Sequence, residues 1–470
     1  MGRYKKLLSN TAILAIGTFA SKFLVFFMMP LYTRYLLPEE YSTADLISQT
    51  ANLLIPLACA GIADGIFRFA LDKSEDKKSV FSSGLTVLVA VSVLFGLLSP
   101  LVGLFNALDG YVWLIAFYVI AANLHSAVAQ YIRAKGNTVL FSVGGLLGTA
   151  LTIGFNFLFL IGLDMGITGY VLSVVMGDVV VTVFLFLWAR LWRDVDVRSV
   201  RFAKMREMLK YSIPMIPTTI FWWITSVSDR YLVIAMKGDE VNGLYAAAYK
   251  VPTLLTLVCT VFIEAWQFSA VSESDEKERS AFFTRVFSCF QGILFMAASA
   301  LVLFSKVATK ILLADNYYDS WRYIPVLALA MTYSSLVTFM GSVYMVRKKS
   351  VYSFLTAAVG AVVNIVLNIL LIPQWSAMGA AVATFISYFV VMIIRGIDTR
   401  RFVRFRLGIP LLVFNTLAVA IQSYIMIREP SWWVAAQIAL FASVLFVNGK
   451  NILQGLILAY RNYRRKPKKS

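Results

Sequence analysis

Asp229 and Arg230 stand side by side in Ser226–Lys250, SVSDRYLVIAMKGDEVNGLYAAAYK, with Lys250 beyond a short polar turn in otherwise apolar sequence. Each lies roughly two turns inside a segment that reads as a membrane-spanning helix, where a charge costs about 2.5–3.5 kcal/mol and so faces a partner or a wet cavity. Arginine offers a bidentate fork and lysine a point charge, and both suit a phosphate or pyrophosphate in a low-dielectric site. Lys22 belongs with them. Thr11, Thr18 and Lys22 form one polar helix stripe, and Thr219, Ser226 and Arg230 repeat the same spacings of seven and four. Lys22, Arg230 and Lys250 are therefore the candidate substrate-binding residues. Asp229 either pairs with Lys250 across the hairpin or tunes Arg230.

Four further groups interrupt apolar runs. Asp64 and Arg68 are spaced i, i+4, as an internal salt bridge or a gating pair requires. Asp178 sits mid-helix with no basic residue within a turn, which marks it as a candidate ion-coupling site or as a group hydrogen-bonded to a neighbouring helix. His125, the single histidine, is a hydrogen-bonded core residue or a proton relay. Glu264 falls near a helix end and reads as interfacial.

The elements that must hold these groups are membrane helices. Of the 470 residues, 59% are hydrophobic and only 14% charged, well below the roughly 25% charged residues of a soluble domain. Apolar runs of spanning length fall at about 11–31, 43–67, 80–105, 111–131, 139–162, 167–189, 212–235, 244–268, 282–305, 323–346, 351–372, 379–395, 409–427 and 432–449. About fourteen transmembrane helices follow, in an all-α integral membrane fold. Lys and Arg total 33 on one set of loops and 6 on the other, which puts both termini in the cytoplasm. The same distribution explains the net charge of +18 and argues against a nucleic-acid partner. The first apolar run has no small-residue cleavage site after it and reads as a retained helix. Prolines at 30, 56, 214, 217, 252 and 325 fall within the runs and are candidate kinks or hinges.

An internal repeat divides the chain. Pro38-Glu39-Glu40-Tyr41 is echoed by Gly238-Asp239-Glu240-Val241, and Tyr131-Ile132-Arg133-Ala134-Lys135 by Tyr344-Met345-Val346-Arg347-Lys348. Asn156 and Met165-Gly166 find their counterparts in Asn368 and Met378-Gly379. Six helices per half give both halves the same orientation, so a parallel pseudo-two-fold repeat along the membrane normal relates them. The expected organisation is an N-lobe at 1–190, a basic cytoplasmic linker at 191–211, a C-lobe at 212–396, and two extra helices with a basic tail at 397–470. In this arrangement Lys22 and Arg230 face one another across a central cavity, and the basic linker attracts anionic membrane lipids.

Other chemistries lack their residues. Cys59, Cys259 and Cys289 lie far apart in apolar sequence and read as buried hydrophobes, so no metal and no cofactor is expected. There is no GxxxxGK[ST] loop to hydrolyse ATP, and no HExxH or GxSxG. No external loop exceeds about 17 residues, the longest being Lys306–Arg322, too short to build a transferase or polymerase site. The chain reads as a transporter rather than an enzyme.

Several of these stretches also resemble a known family. Ser9-Asn10-Thr11 through Ser21-Lys22-Phe23, Pro30-Leu31-Tyr32-Thr33-Arg34-Tyr35-Leu36, Gly61-Ile62 with Arg68-Phe69, Ser228-Asp229-Arg230, Gly243-Leu244-Tyr245, Ala248-Tyr249-Lys250, Ala265-Trp266 and Gly379–Thr384 carry the likeness. In order and type they resemble the bacterial oligosaccharide (Wzx-type) flippases of the MOP transporter superfamily over residues 5–396. The resemblance implies two six-helix lobes around a positively charged cavity in the bacterial cytoplasmic (inner) membrane. It also implies a lipid-linked oligosaccharide on undecaprenyl pyrophosphate as substrate, polysaccharide polymerase or assembly proteins as candidate partners, and substrate or gating roles for Lys22, Arg68, Asp229, Arg230 and Lys250. Helices thirteen and fourteen depart from the twelve of many members, and Ser42-Thr43 stands where glycine is commoner. A lipid II flippase or a multidrug/organic-cation exporter of the same superfamily is the alternative, though basic residues suit a cation exporter poorly.

Overall fold

The structure, a computed structural model, describes residues 24, 26–72, 74–104, 108–257, 259–260, 262–263, 276–346 and 350–465. Lys22, Glu264 and most of the expected first helix lie outside these residues. The described chain is all-helical, without a strand, and nine of its helices are long and apolar enough to cross a membrane, ten if one bent pair counts as a single span. It is a multi-pass membrane protein. Its outward side chains are apolar, as with Leu97, Trp188 and Phe446, because hydrocarbon rather than water surrounds them. The chain divides into two compact units, Met1–Trp223 and Ile224–Ser470.

The first unit contains α1 (Met29–Tyr35), α2 (Pro38–Ala58), α3 (Ile62–Ala70), α4 (Lys77–Leu98), α5 (Val112–Ala134), α6 (Thr138–Asn156), α7 (Gly166–Trp188) and the amphipathic α8 (Phe202–Ser212). The run expected as one span at 43–67 is broken. α2 starts at Pro38, ends past Pro56, and meets α3 at a 55° bend. Pro56 supplies no amide to the helix, and Ala60 and Gly61 then turn through positive φ. A side chain at Gly61 would stand 3.2 Å from Ser212 Cβ of α8, so glycine also permits the close approach of that helix. Among the six noted prolines only Pro56 lies in the interior of an α-helix beyond its first turn. Pro30, Pro217 and Pro325 occupy first turns, where a missing amide costs nothing. Phe81 of α4 stacks on Tyr131 of α5 at 4.1 Å within a core that includes Ile62, Ile66 and Leu185.

The basic segment after α7 folds back onto this unit. Ser79 and Ser82 donate to the carbonyls of Ser199 and Asp194, Ser82 and Ser83 accept from the amides of Asp196 and Arg201, and Lys135 Nζ meets Asp194 at 2.6 Å. The Ser199 hydroxyl and the Arg198 amide hold the Asp196 carboxyl below the usual range.

The second unit holds the main length of α9 (Ile216–Lys237), then α10 (Asp239–Lys250), α11 (Glu276–Leu303), α12 (Ser305–Leu312), α13 (Ile324–Val346), α14 (Ser350–Trp375), α15 (Ala377–Asp398), α16 (Ile409–Arg428) and α17 (Trp433–Arg465). α13 is its most enclosed helix, packed by α11, α15 and α16. The last two helices are fastened by polar side chains. Ser299 donates to Gln422 at 2.6 Å, Gln437 donates to the Gln422 carbonyl at 2.7 Å, and Asn415 and Asn448 exchange two amide hydrogen bonds of 3.0 and 2.7 Å.

The echoed tetrads are helix starts rather than loops. Glu39 and Glu40 occupy the first turn of α2, where Glu40 caps the Leu37 amide at 2.8 Å, and Asp239 and Glu240 occupy the first turn of α10. Acidic residues are favoured there by the positive end of the helix dipole.

Candidate functional site

α9 and α10 form the hairpin that carries the acid–arginine pair. Gly238, at φ +90°, turns the chain between them, and α10 then runs back so that Tyr245 and Tyr249 reach Asp229 and Arg230. Asp229 is fully buried and Arg230 2% exposed. Tyr245 Oη donates to Asp229 Oδ2 at 2.6 Å, Thr384 Oγ1 of α15 to the same oxygen at 3.2 Å, and the Arg230 amide to Oδ1 at 2.9 Å. Of the two roles expected for Asp229, pairing with Lys250 or tuning Arg230, the contacts described include one to Arg230, and the hydrogen bond across the hairpin comes from Tyr245. A carboxylate with three donors already has most of its lone pairs engaged, so it gains little from a lysine farther along α10.

The Arg230 guanidinium lies 3.7 Å from Asp229 Oδ1, donates to the Ser226 carbonyl at 3.0 Å, and sits 4.4 Å from the centre of the Tyr249 ring. The guanidinium thus faces a carboxylate, a carbonyl and an aromatic ring. Lys250 closes α10 and is half-buried.

A second layer of amides surrounds the pair. Asn364 Oδ1 on α14 accepts from Ser228 at 3.0 Å and from Asn368 at 2.9 Å, and Asn364 Nδ2 donates to Thr384 at 3.3 Å. The network therefore ties α9, α14 and α15 together through neutral groups. Its oxygens, one carboxylate among hydroxyls and amide carbonyls, can hold a proton or a small hard cation but give no soft ligand for a transition metal. Thr384, Asn364 and Tyr245 fall outside the charged residues that sequence reasoning selected. Asn368 stands in the internal repeat, and Tyr245 and Thr384 in stretches that carry the family likeness, but none of the three was assigned a role from sequence.

Elsewhere the candidates separate. Asp178 on α7 meets His125 Nδ1 on α5 at 3.0 Å, so its basic partner comes from a neighbouring helix. Their side chains are 21% and 25% exposed. Asp64 and Arg68 on α3 make no ion pair among the described residues. Both side chains are exposed, and long exposed side chains lose more order than such a pair returns. Arg68 instead adds to the field that, behind the two hydrogen bonds from Ser74, holds the Asp72 carboxyl below its ordinary range.

Arg395 stands at the end of the run expected at 379–395, and the structure buries it. It lies on α15 at 2% exposure, donating to Thr356 Oγ1 at 2.9 and 3.0 Å and to the Val337 carbonyl at 2.8 Å. Its ring partner is Tyr344, whose hydroxyl donates to Asp398 at 2.8 Å. Gly341 leaves the room, since a side chain there would come within 2.8 Å of Arg395 Nη1.

The polysaccharide biosynthesis protein family matches residues 7–268, more than half of the chain and all of the α9–α10 hairpin. The chain belongs to this family. Among solved structures, the lipid II flippase MurJ in an inward closed conformation superposes with a TM-score of 0.72 over 95% of this chain and 100% of its own, at 14% identity. An inward-facing multidrug resistance MATE transporter of the MOP superfamily gives 0.68 over 82% and 97%, at 15% identity. A MATE protein in a straight conformation gives 0.61 over 84% and 95%, at 14% identity. Comparison with curated protein sequences gives no match. The chain thus shares its fold with proteins that are flippases and transporters by name.

Proposed function

We propose that the protein flips a polyprenyl-pyrophosphate-linked oligosaccharide across the bacterial cytoplasmic membrane by alternating access, for surface polysaccharide or O-antigen export. The observation that carries this reading is the buried Asp229–Arg230 pair in a member of the polysaccharide biosynthesis family. A guanidinium buried in a membrane helix needs an anion, and Asp229 supplies it in the structure described. A pyrophosphate offers a stronger, bidentate alternative. Arg230 exchanges its carboxylate for the substrate's phosphate on loading and returns to Asp229 on release, so Asp229 gates and Arg230 binds. Lys250, and Lys22 from the first repeat, add positive potential, while the glycan crosses among polar groups and the polyprenyl tail stays in lipid. Asp64 and Arg68 serve the gating motion from the bend after α2. The Asp178–His125 pair carries the coupling proton, since it joins a carboxylate and an imidazole that retain some access to their surroundings. Both termini lie in the cytoplasm, and polymerase or assembly proteins receive the flipped product.

Complementation of a deletion strain tests the reading. Arg230→Ala and Lys250→Ala, at wild-type protein level in the membrane, are expected to cut surface glycan by tenfold or more, as loss of a charge-assisted contact worth about 1.5–3 kcal/mol predicts. Undiminished glycan in both variants overturns the proposal. Drug hypersensitivity of the deletion strain with normal glycan identifies an exporter instead, and loss of lipid II turnover identifies a lipid II flippase.

A further inference from the structure

Apart from the acid–arginine network, the second unit encloses a cavity of about 430 Å³ among α13, α15, the connection after it, and α16. The volume lies in the range of small-molecule sites, roughly 300–1,000 Å³. Tyr333, Met392 and Leu412 form its floor, and all three are buried. Ile393 and Ile397 on α15 and Val413 and Leu417 on α16 form its lips, and all four are exposed, so the cavity opens sideways into the surrounding hydrocarbon. One ionised side chain lines it: Arg400, at the basic end of α15. Arg400 is exposed and has no ion-pair partner among the described residues, whereas its neighbour Arg401 lies 3.7 Å from Asp398.

An apolar slot open to lipid, with one free cation at its rim, is complementary to a molecule with a hydrocarbon chain and an anionic head. Space left empty there would deprive every wall of its dispersion contacts. The walls are also fixed. Tyr333 and Thr416, both lining residues, are hydrogen-bonded at 2.6 Å, and Ser423 of α16 donates to the Pro325 carbonyl of α13 at 3.3 Å. A substrate in transit needs walls that part, and two of these walls, α13 and α16, are fastened to each other. We propose that this cavity holds one acyl chain of an anionic phospholipid as a resident of the unit, with Arg400 on its phosphate.

Phosphatidylglycerol carrying a photoactivatable diazirine on one acyl chain is the probe, used on the full-length chain in vesicles. Peptides containing residues 392–397 and 409–417 are expected to be labelled. Val413→Phe fills the slot from an exposed lip position, where folding is least at risk, and is expected to reduce that labelling at least fivefold while labelling elsewhere is unchanged. Arg400→Gln is expected to weaken competition by unlabelled phosphatidylglycerol about fivefold, the share of one headgroup charge. Labelling of the outer helix faces alone overturns the proposal, as does equal labelling by the phosphatidylcholine analogue together with indifference to Arg400→Gln. Displacement of the probe by undecaprenyl phosphate at lower concentration than by phosphatidylglycerol also overturns it, by assigning the slot to the substrate's tail.

Discussion

Asp178 in the first unit meets His125 through one hydrogen bond and keeps about a fifth of its side chain exposed, while Asp229 in the second is fully enclosed and takes three. The first pair joins two helices, α5 and α7. The second is built into a network over α9, α10, α14 and α15. A pair of the first kind can be lost without disturbing much else. A network of the second kind loses several satisfied groups whenever one member goes, because its hydrogen bonds run between one buried member and another. Two acidic residues within apolar helices thus have opposite tolerances, and the difference comes from the neutral residues around them.

Mutation can break or sharpen this contrast. Asp229→Ala should have the largest effect, since it leaves Arg230 buried without its carboxylate; a loss of about 3–5 kcal/mol is expected, read as a lower melting temperature and poor folded yield in detergent. Tyr245→Phe removes one hydrogen bond to the same carboxylate and should cost about 1.5–3 kcal/mol in the same assay. A cost near zero would show that Thr384 and the Arg230 amide suffice. Gly341→Ala crowds the Arg395 guanidinium, and about 1–3 kcal/mol should be lost unless that side chain can withdraw. His125→Gln should change stability least, by about 1 kcal/mol or less. A double-mutant cycle with Asp178→Asn should return a coupling of similar size, and glycan export, not folding, should carry the phenotype. If His125→Gln proved as destabilising as Asp229→Ala, the contrast between the units would fail.

Much of this was legible from the residue pattern, because hydropathy runs and loop charges record what a bilayer demands. The nine described spanning helices between Lys77 and Arg428 fall within a few residues of their expected bounds, whereas α10 ends at Lys250 inside the run expected at 244–268 and α17 continues to Arg465 past the run expected at 432–449. The buried charge of Asp229-Arg230 was visible because a charge in an apolar run is rare. The break after Pro56 was less legible, since a proline within a span permits a continuous kinked helix as well as a bend of 55°. Arg395 was hidden by position: at the end of a span, an arginine buried against Thr356 and one in a loop look alike in sequence. The partners of Asp229 were hidden for a related reason. A tyrosine and a threonine at membrane depth are common, and only the packing of α10 and α15 shows which of them a carboxylate recruits. His125 and Asp178 are 53 residues apart, so their meeting depends wholly on how α5 and α7 pack.

The paired amides of Asn415 and Asn448 bear on how the chain enters the membrane. Each is buried, and each satisfies the other across the two final helices, which are joined only by the turn at Glu429–Trp432. Alone in hydrocarbon, the Asn415 side chain would lose its partner at a cost of several kcal/mol, and Asn448 would keep only the Val444 carbonyl of its own helix. Helix α16 therefore gains its full stability only once α17 has been synthesised, and the two are best inserted as a hairpin in one event. A ribosome stalled between them would leave a helix inclined to slip back toward water.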